Sequence, residues 1–271
     1  MQALKRNNVT RFGHGERTLL FAHGFGCDQS MWRAVVPAFA EEASIALFDL
    51  VGAGGSDISA YDPDRYSALE AYADDLVEIC AELNAPRLTY VGHSVGATIG
   101  VIAAVKRPEL FESMVLICPS PRFSNTETYH GGFDEPDLDE LLAWMATNHT
   151  QWSAAMAPAV VGPDQPDLQE TWAESVCSLN PEVVNQFARI TFKSDHRAEF
   201  RRLAKPTLII DCKLDSLAPS EVGAWVHDAI AGSRRVTLDA QGHCPHMTTP
   251  AAVIDLVQEF LAEAPQRAHA A

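Results

Sequence analysis

Short apolar runs bounded by glycine, proline or aspartate alternate along this chain with longer segments whose apolar residues recur every three to four positions. Thr18-Leu19-Leu20-Phe21-Ala22 is continuous, the pattern of a strand covered on both faces, and it stops at His23-Gly24-Phe25-Gly26. Runs of the same kind occupy 44–49, 87–91, 111–118 and 207–212, with a further strand over 234–238. Val9 and Phe12 suggest one edge strand in an otherwise polar lead-in. Between the strands, 67–83 carries Leu69, Tyr72, Ala73, Leu76, Val77 and Cys80 at helical spacing. Ser30 reads as the N-cap of a helix bearing Trp32, Val35, Val36 and Phe39. Helices are also expected over 97–105, 219–230 and 250–262, with a loop at 240–249 and a frayed tail at 265–271. Such alternation predicts an α/β fold: a mostly parallel sheet wrapped by helices.

The pattern changes between 121 and 200, where strand-like runs vanish. Amphipathic pieces at 137–148, 149–157, 166–178 and 181–193 take their place, separated by Gly, Pro and Asp. The chain therefore divides into a first core part (1–120), a helical insertion (121–200) and a second core part (201–271).

Chemistry enters at Gly92-His93-Ser94-Val95-Gly96, a Gly-x-Ser-x-Gly between a strand and a helix. A chain that turns so sharply needs glycine on both sides, and it leaves the serine hydroxyl exposed at the tip. A serine is a weak nucleophile and needs a base, oriented in turn by an acid. In sheet enzymes of this kind the order is Ser, acid, His. His243 follows a glycine in the loop after the last strand, and is preferred to His246 as the base. Asp211 lies inside a strand run, whereas Asp215 lies just past it, so Asp215 is preferred as the acid. Two backbone N–H groups must receive the oxyanion: Val95, after the nucleophile, and Phe25, in the glycine-flanked loop after the first core strand. His23 and His93 are expected to be structural hydrogen-bonding groups.

Composition narrows the partners. The 271 residues are 47% hydrophobic, with 36 acidic against 20 basic residues and a formal charge of -16. A net anion is repelled by nucleic acid and by anionic membranes, so neither is expected as a partner. The N-terminus lacks a signal-type apolar run, and no segment approaches the ~18 apolar residues of a membrane span. The six cysteines are scattered with no paired CxxC, which suits reduced thiols in a cytoplasmic protein. Gly52-Ala53-Gly54-Gly55 follows a strand but runs into a loop, so a dinucleotide cofactor is not expected. Nor is a metal, because His243, Cys244 and His246 have no second cluster to complete a ligand set.

Several longer runs carry a resemblance. His23-Gly24-Phe25-Gly26-Cys27-Asp28-Gln29, the segment 59–69, Gly92-His93-Ser94-Val95-Gly96-Ala97, Ser194-Asp195-His196-Arg197 and Gly242-His243-Cys244-Pro245-His246-Met247 resemble the α/β-hydrolase fold, and within it the RsbQ-like group. That group regulates the bacterial sigma-B stress response and is similar to the plant strigolactone and karrikin receptors. The resemblance covers the whole chain. It implies Ser94, Asp215 and His243 as a triad, and the 121–200 block as a four-helix lid over an apolar pocket. Phe25, Phe133, Trp152, Met156 and Phe192 would line that pocket. It further implies a small hydrophobic ester or lactone as substrate, slow turnover, and a PAS-containing phosphatase as a protein partner. The sequence thus supports two functions, a serine hydrolase and a ligand sensor built on the same residues, with a cofactor-free haloperoxidase or lyase as a minor third.

Overall fold

The computed structural model describes residues 2–268. Seven strands form one sheet: β1 (Thr10–Gly13), β2 (Thr18–Ala22), β3 (Ser44–Phe48), β4 (Leu88–His93), β5 (Ser113–Ile117), β6 (Thr207–Leu214) and β7 (Arg234–Gln241). Their order across the sheet is β1-β3-β2-β4-β5-β6-β7, and only β1 runs antiparallel to its neighbour. The continuous apolar runs are explained by cover on both faces. Leu19 and Phe21 of β2 join one core, while Leu20 and Ala22 join the other.

The helices are α1 (Gln2–Arg6), α2 (Leu69–Leu83), α3 (Val95–Lys106), α4 (Glu135–Thr147), α5 (His149–Val161), α6 (Pro166–Ser178), α7 (Pro181–Phe192), α8 (Arg197–Arg202), α9 (Ser220–Ala229), α10 (Pro245–Thr248) and α11 (Pro250–Ala268). Every residue of α3 from Val95 to Ala104 is buried, as suits a helix that is apolar all round. Asn148 and Asn180 cap α5 and α7, their side-chain oxygens accepting from backbone N–H groups of the first turn. In the 121–200 block, α5 packs along α6, and α4 lies against both α5 and α7.

Five expectations are corrected. No α-helix follows Ser30; Asp28 is the cap, accepting from Ser30 N–H at 2.7 Å, and two 3₁₀ turns (Gln29–Trp32 and Val36–Phe39) stand in its place. Pro37 has no N–H to continue an α-helical ladder. The polar lead-in contains α1, held by tertiary contacts: Arg6 pairs with Asp75 at 2.9 Å and Glu78 at 2.8 Å. The loop at 240–249 contains α10. Helix α5 runs through Pro158 to Val161 instead of ending at 157, a difference that matters at the site. The tail expected to fray over 265–271 is helical as far as Ala268, and 269–271 lie outside the described residues.

The carboxyl ends of β2 and β3 are tied together by one buried carboxylate. Asp49 accepts from the backbone N–H of Gln29 (2.8 Å) and Gly55 (2.9 Å) and from the side-chain amides of Asn8 (2.8 Å) and Gln29 (3.0 Å). The loops after β2 and β3 are thereby fixed to each other. Asp49→Ala leaves these donors without an acceptor and is expected to lower the unfolding free energy by about 3 kcal/mol, measured by urea titration. A wild-type midpoint in that variant contradicts the role.

Candidate active site

Ser94 is the last residue before α3 and has φ 54 and ψ -123, a conformation that side-chain-bearing residues rarely adopt. Its N–H donates to Ile117 O at 2.9 Å, which anchors the turn to β5. Tight packing holds the turn from behind. Tyr90 O–H donates to Gly96 O at 2.6 Å, and a Cβ on Gly96 would lie 2.5 Å from His23 O. No larger residue fits there.

His243 reaches across to this turn. Its Nε2 lies 2.8 Å from Ser94 Oγ, and its Nδ1 lies 2.6 Å from Asp215 Oδ2. A carboxylate can only accept, so Nδ1 carries the proton and Nε2 is left to accept from the serine hydroxyl. Asp215 follows the last residue of β6, and its other oxygen accepts from Leu217 N–H at 2.9 Å and Ala218 N–H at 3.0 Å. All three side chains are buried. Asp211, the other acid considered, is spent elsewhere in an ion pair with Arg235 at 2.7 Å.

The backbone of His243 is fixed from two directions. Its N–H donates to Val160 O at 2.7 Å, and its carbonyl accepts from His93 Nε2 at 2.8 Å. Val160 belongs to the turn of α5 that continues past Pro158, where carbonyls have no partner within the helix. Residues 121–200 thus contact the histidine loop directly. Gly242, with φ +94, lies under the same helix end, where a Cβ would stand 2.8 Å from Gly162 N.

The other histidines hold structure. His23 donates from Nδ1 to Gly24 O at 2.9 Å and accepts Leu50 N–H on Nε2 at 3.0 Å. Burial holds His23 and His93 below the usual imidazole range. The ring of His246 lies between those of Trp32 and His93, at centroid distances of 4.6 and 4.4 Å, with neither nitrogen hydrogen-bonded. The amides of Phe25 and Val95 donate no hydrogen bond within the protein among the described residues. The Phe25 loop also comes close to the serine, for a Cβ on Gly24 would lie 3.3 Å from Ser94 Cβ.

Above Ser94 is a narrow, largely apolar cavity of about 30 Å³. Phe25, Trp152, Met156 and Phe192 line it. Phe133 is absent from its lining. Its backbone is tied in the loop before α4, donating to Phe123 O at 3.1 Å and accepting from Asn125 N–H at 2.7 Å, and Phe123 takes the cavity-facing place. Trp172, Val160, Thr191 and Leu217 also line the cavity, although the sequence did not single them out for it. Amphipathic spacing marks inward faces but not which inward side chains border empty space.

Donor atoms of two buried groups come within 4.8 Å of one another: His93, Cys244 and His246, and Cys118, Asp215 and His243. The fold supplies His93 as the partner that the sequence did not place beside Cys244 and His246. Burial, however, pushes the Cys244 and Cys118 thiols up, which opposes thiolate ligation, and Asp215 and His243 are engaged with each other.

His246 gives a pH test. Burial lowers its pKa from 6.5 to about 3. Between these values the unfolded chain binds a proton that the folded chain does not, so stability present above pH 6.5 is lost as pH falls toward 3. His246→Phe is expected to flatten unfolding free energy against pH by up to about 1.4 kcal/mol per unit in that window, measured by urea unfolding. An unaltered slope contradicts a neutral buried ring.

The family model for the alpha/beta hydrolase family matches residues 19–256. The chain is 37% identical over 259 residues to strigolactone esterase D14 of Arabidopsis thaliana, covering 95% of this chain and 97% of that one. It is 36% identical over 253 residues to karrikin insensitive 2 receptor CA of Petunia hybrida, covering 93% and 94%. A solved hydrolase from Oleispira antarctica superposes with a TM-score of 0.93 at 38% identity, covering 96% of each chain. The chain belongs to the alpha/beta hydrolase family.

Proposed function

We propose that the protein is a serine hydrolase that cleaves a small, largely apolar ester or lactone through an acyl-enzyme. The reading rests on the two hydrogen bonds that join Asp215, His243 and Ser94 at 2.6 and 2.8 Å, with the serine on a strained turn under an apolar cavity. Ser94 Oγ attacks the carbonyl carbon while His243 Nε2 takes its proton. Asp215 holds the ring in the tautomer that leaves Nε2 free and stabilises the imidazolium that forms. The N–H groups of Phe25 and Val95 receive the oxyanion, in a site whose apolar walls keep water from competing. His243 then protonates the leaving oxygen, and a water, activated by the same imidazole, clears the acyl group from Ser94. The 121–200 helices act as a lid, setting which acyl and alcohol groups fit. Among the described residues no helix is long and apolar enough to cross a membrane, and six cysteines stand unpaired, which fits action on a soluble substrate in the cytoplasm.

A second reading is favoured by the relatives named as receptors. In it the same chemistry runs slowly, and the lid reports the trapped ligand to a protein, for which the RsbQ-like resemblance suggests a PAS-containing phosphatase. Rapid turnover of many esters with no partner captured favours metabolism. Slow turnover with a long-lived adduct and ligand-dependent capture of the phosphatase favours sensing.

Ser94→Ala is expected to lower p-nitrophenyl butyrate cleavage by about a thousandfold or more and to abolish labelling by a fluorophosphonate. Asp215→Asn, which keeps the shape but not the tautomer, is expected to cost about 10²–10⁴ in kcat. Retained turnover and labelling in Ser94→Ala would sink the assignment.

A further inference from the structure

Thr191 belongs to the buried stripe of α7, with Val184, Phe187 and Ala188, and is 2% exposed. It also lines the cavity above Ser94. A helical threonine can give its hydroxyl to a carbonyl one turn back along its own helix. Two others in the 121–200 block do so: Thr147 Oγ1 donates to Trp144 O at 3.0 Å, and Thr171 Oγ1 donates to Asp167 O at 2.7 Å. Thr191 does not. Its Oγ1 is buried and, among the described residues, has no hydrogen-bond partner. A buried hydroxyl left unpaired costs stability, and valine would give the same branched shape without that cost. Such atoms are few in folded proteins, and this one belongs to a residue bordering the space over the nucleophile.

The other polar groups of the lining show what a ligand would have to offer. Ser94 and His243 are bonded to each other, and His93 is held by its own contacts, Nε2 at His243 O and Nδ1 against Gly24. The indole N–H of Trp172 lies beside the Cys27 thiol. Trp152 Nε1, also buried, is without a partner as Thr191 Oγ1 is. An indole N–H can only donate, and a hydroxyl can donate as well, so an acceptor oxygen is the group that either can use. Among the described residues no Asp, Glu, Lys or Arg lines the cavity, so that oxygen is best carried by a neutral molecule.

We propose that Thr191 is a specificity-determining residue, whose hydroxyl donates a hydrogen bond to a second, neutral oxygen of the substrate. The preferred substrate is then a small ester or lactone with an ether or carbonyl oxygen in one arm, apart from the reacting carbonyl. A hydrocarbon ester of the same shape leaves the hydroxyl unpaired and is discriminated against. The cavity is narrow, about 30 Å³, so the second oxygen lies only a few bonds from the carbonyl over Ser94. The proposal rests on the hydrolase reading given above and names the substrate feature that reading leaves open.

Two pairs of esters test it, each differing by an ether oxygen in place of a methylene. The acyl arm is read with p-nitrophenyl methoxyacetate against p-nitrophenyl butyrate. The alcohol arm is read with 2-methoxyethyl butyrate against butyl butyrate, by titration of the acid released. Thr191→Val is expected to lower the ether-to-hydrocarbon ratio of kcat/KM by about fivefold or more in one pair, which also identifies the arm. Intrinsic reactivity cancels, because each ratio is compared with that of wild type. Unchanged ratios in both pairs, in a variant still labelled at Ser94 by a fluorophosphonate, overturn the proposal. So does a ratio that falls as far in Thr191→Ser, which keeps the hydroxyl, since the change then traces to packing. Urea unfolding without substrate gives a second reading. Thr191→Val is expected to unfold at the same or a higher urea concentration than wild type, and a lower midpoint overturns the proposal by showing that the hydroxyl already has a partner in the fold. A wild-type protein that is neither labelled nor active on any ester overturns the hydrolase reading itself, and the specificity role with it.

Discussion

One imidazole has to face a hydroxyl and a carboxylate at the same moment, and most of the site follows from that requirement. His243 meets it because its side chain and its backbone are both held. Asp215 accepts a hydrogen bond from Nδ1–H at 2.6 Å while its own second oxygen is pinned by two backbone N–H groups. The peptide on either side of His243 is held by Val160 O and by His93 Nε2. A hydrogen-bonding ring so constrained loses little further entropy when it accepts a proton, which is the advantage of a site prepared before the substrate arrives.

The hydrogen bond from His243 N–H to Val160 O also gives the 121–200 block a second part to play. It is a wall of the cavity through Trp152, Met156, Trp172 and Phe192, and it is also a support for the loop that carries His243. Helix α5 can serve both ends because it continues past Pro158, bringing an otherwise unpartnered carbonyl to the histidine loop. Displacement of α5 would therefore change the room above Ser94 and the hold on His243 together. Such a coupling suits an enzyme whose lid sets substrate choice, and it suits a sensor whose lid must register an occupied site.

How much of this was legible depended on whether the signal was local. The strands β2 to β6 could be read because burial on both faces writes continuous apolar runs, and the Ser94 turn because glycine is needed where Gly96 abuts His23 O. Asp215, just past the end of β6, reaches His243, whereas Asp211, within the strand, pairs with Arg235. The misses were long-range. Helix α1 looks polar because Arg6 is satisfied by Asp75 and Glu78, some seventy residues on. Phe133 and Phe123 are equally apolar, and only the backbone pairing between their segments decides which one faces the cavity. Pro158 reads as a helix stop, yet the tertiary partner waiting for Val160 O makes the extra turn worthwhile.

The central claim is covalent chemistry at the strained serine turn, and mass spectrometry tests it most directly. Protein mixed with p-nitrophenyl butyrate and quenched in acid before turnover is complete should carry one added butyryl group. Peptide mapping should place it on Ser94. Turnover with no adduct at any quench time, or a butyryl group found on His243 or Cys244 while Ser94 stays free, would contradict the account.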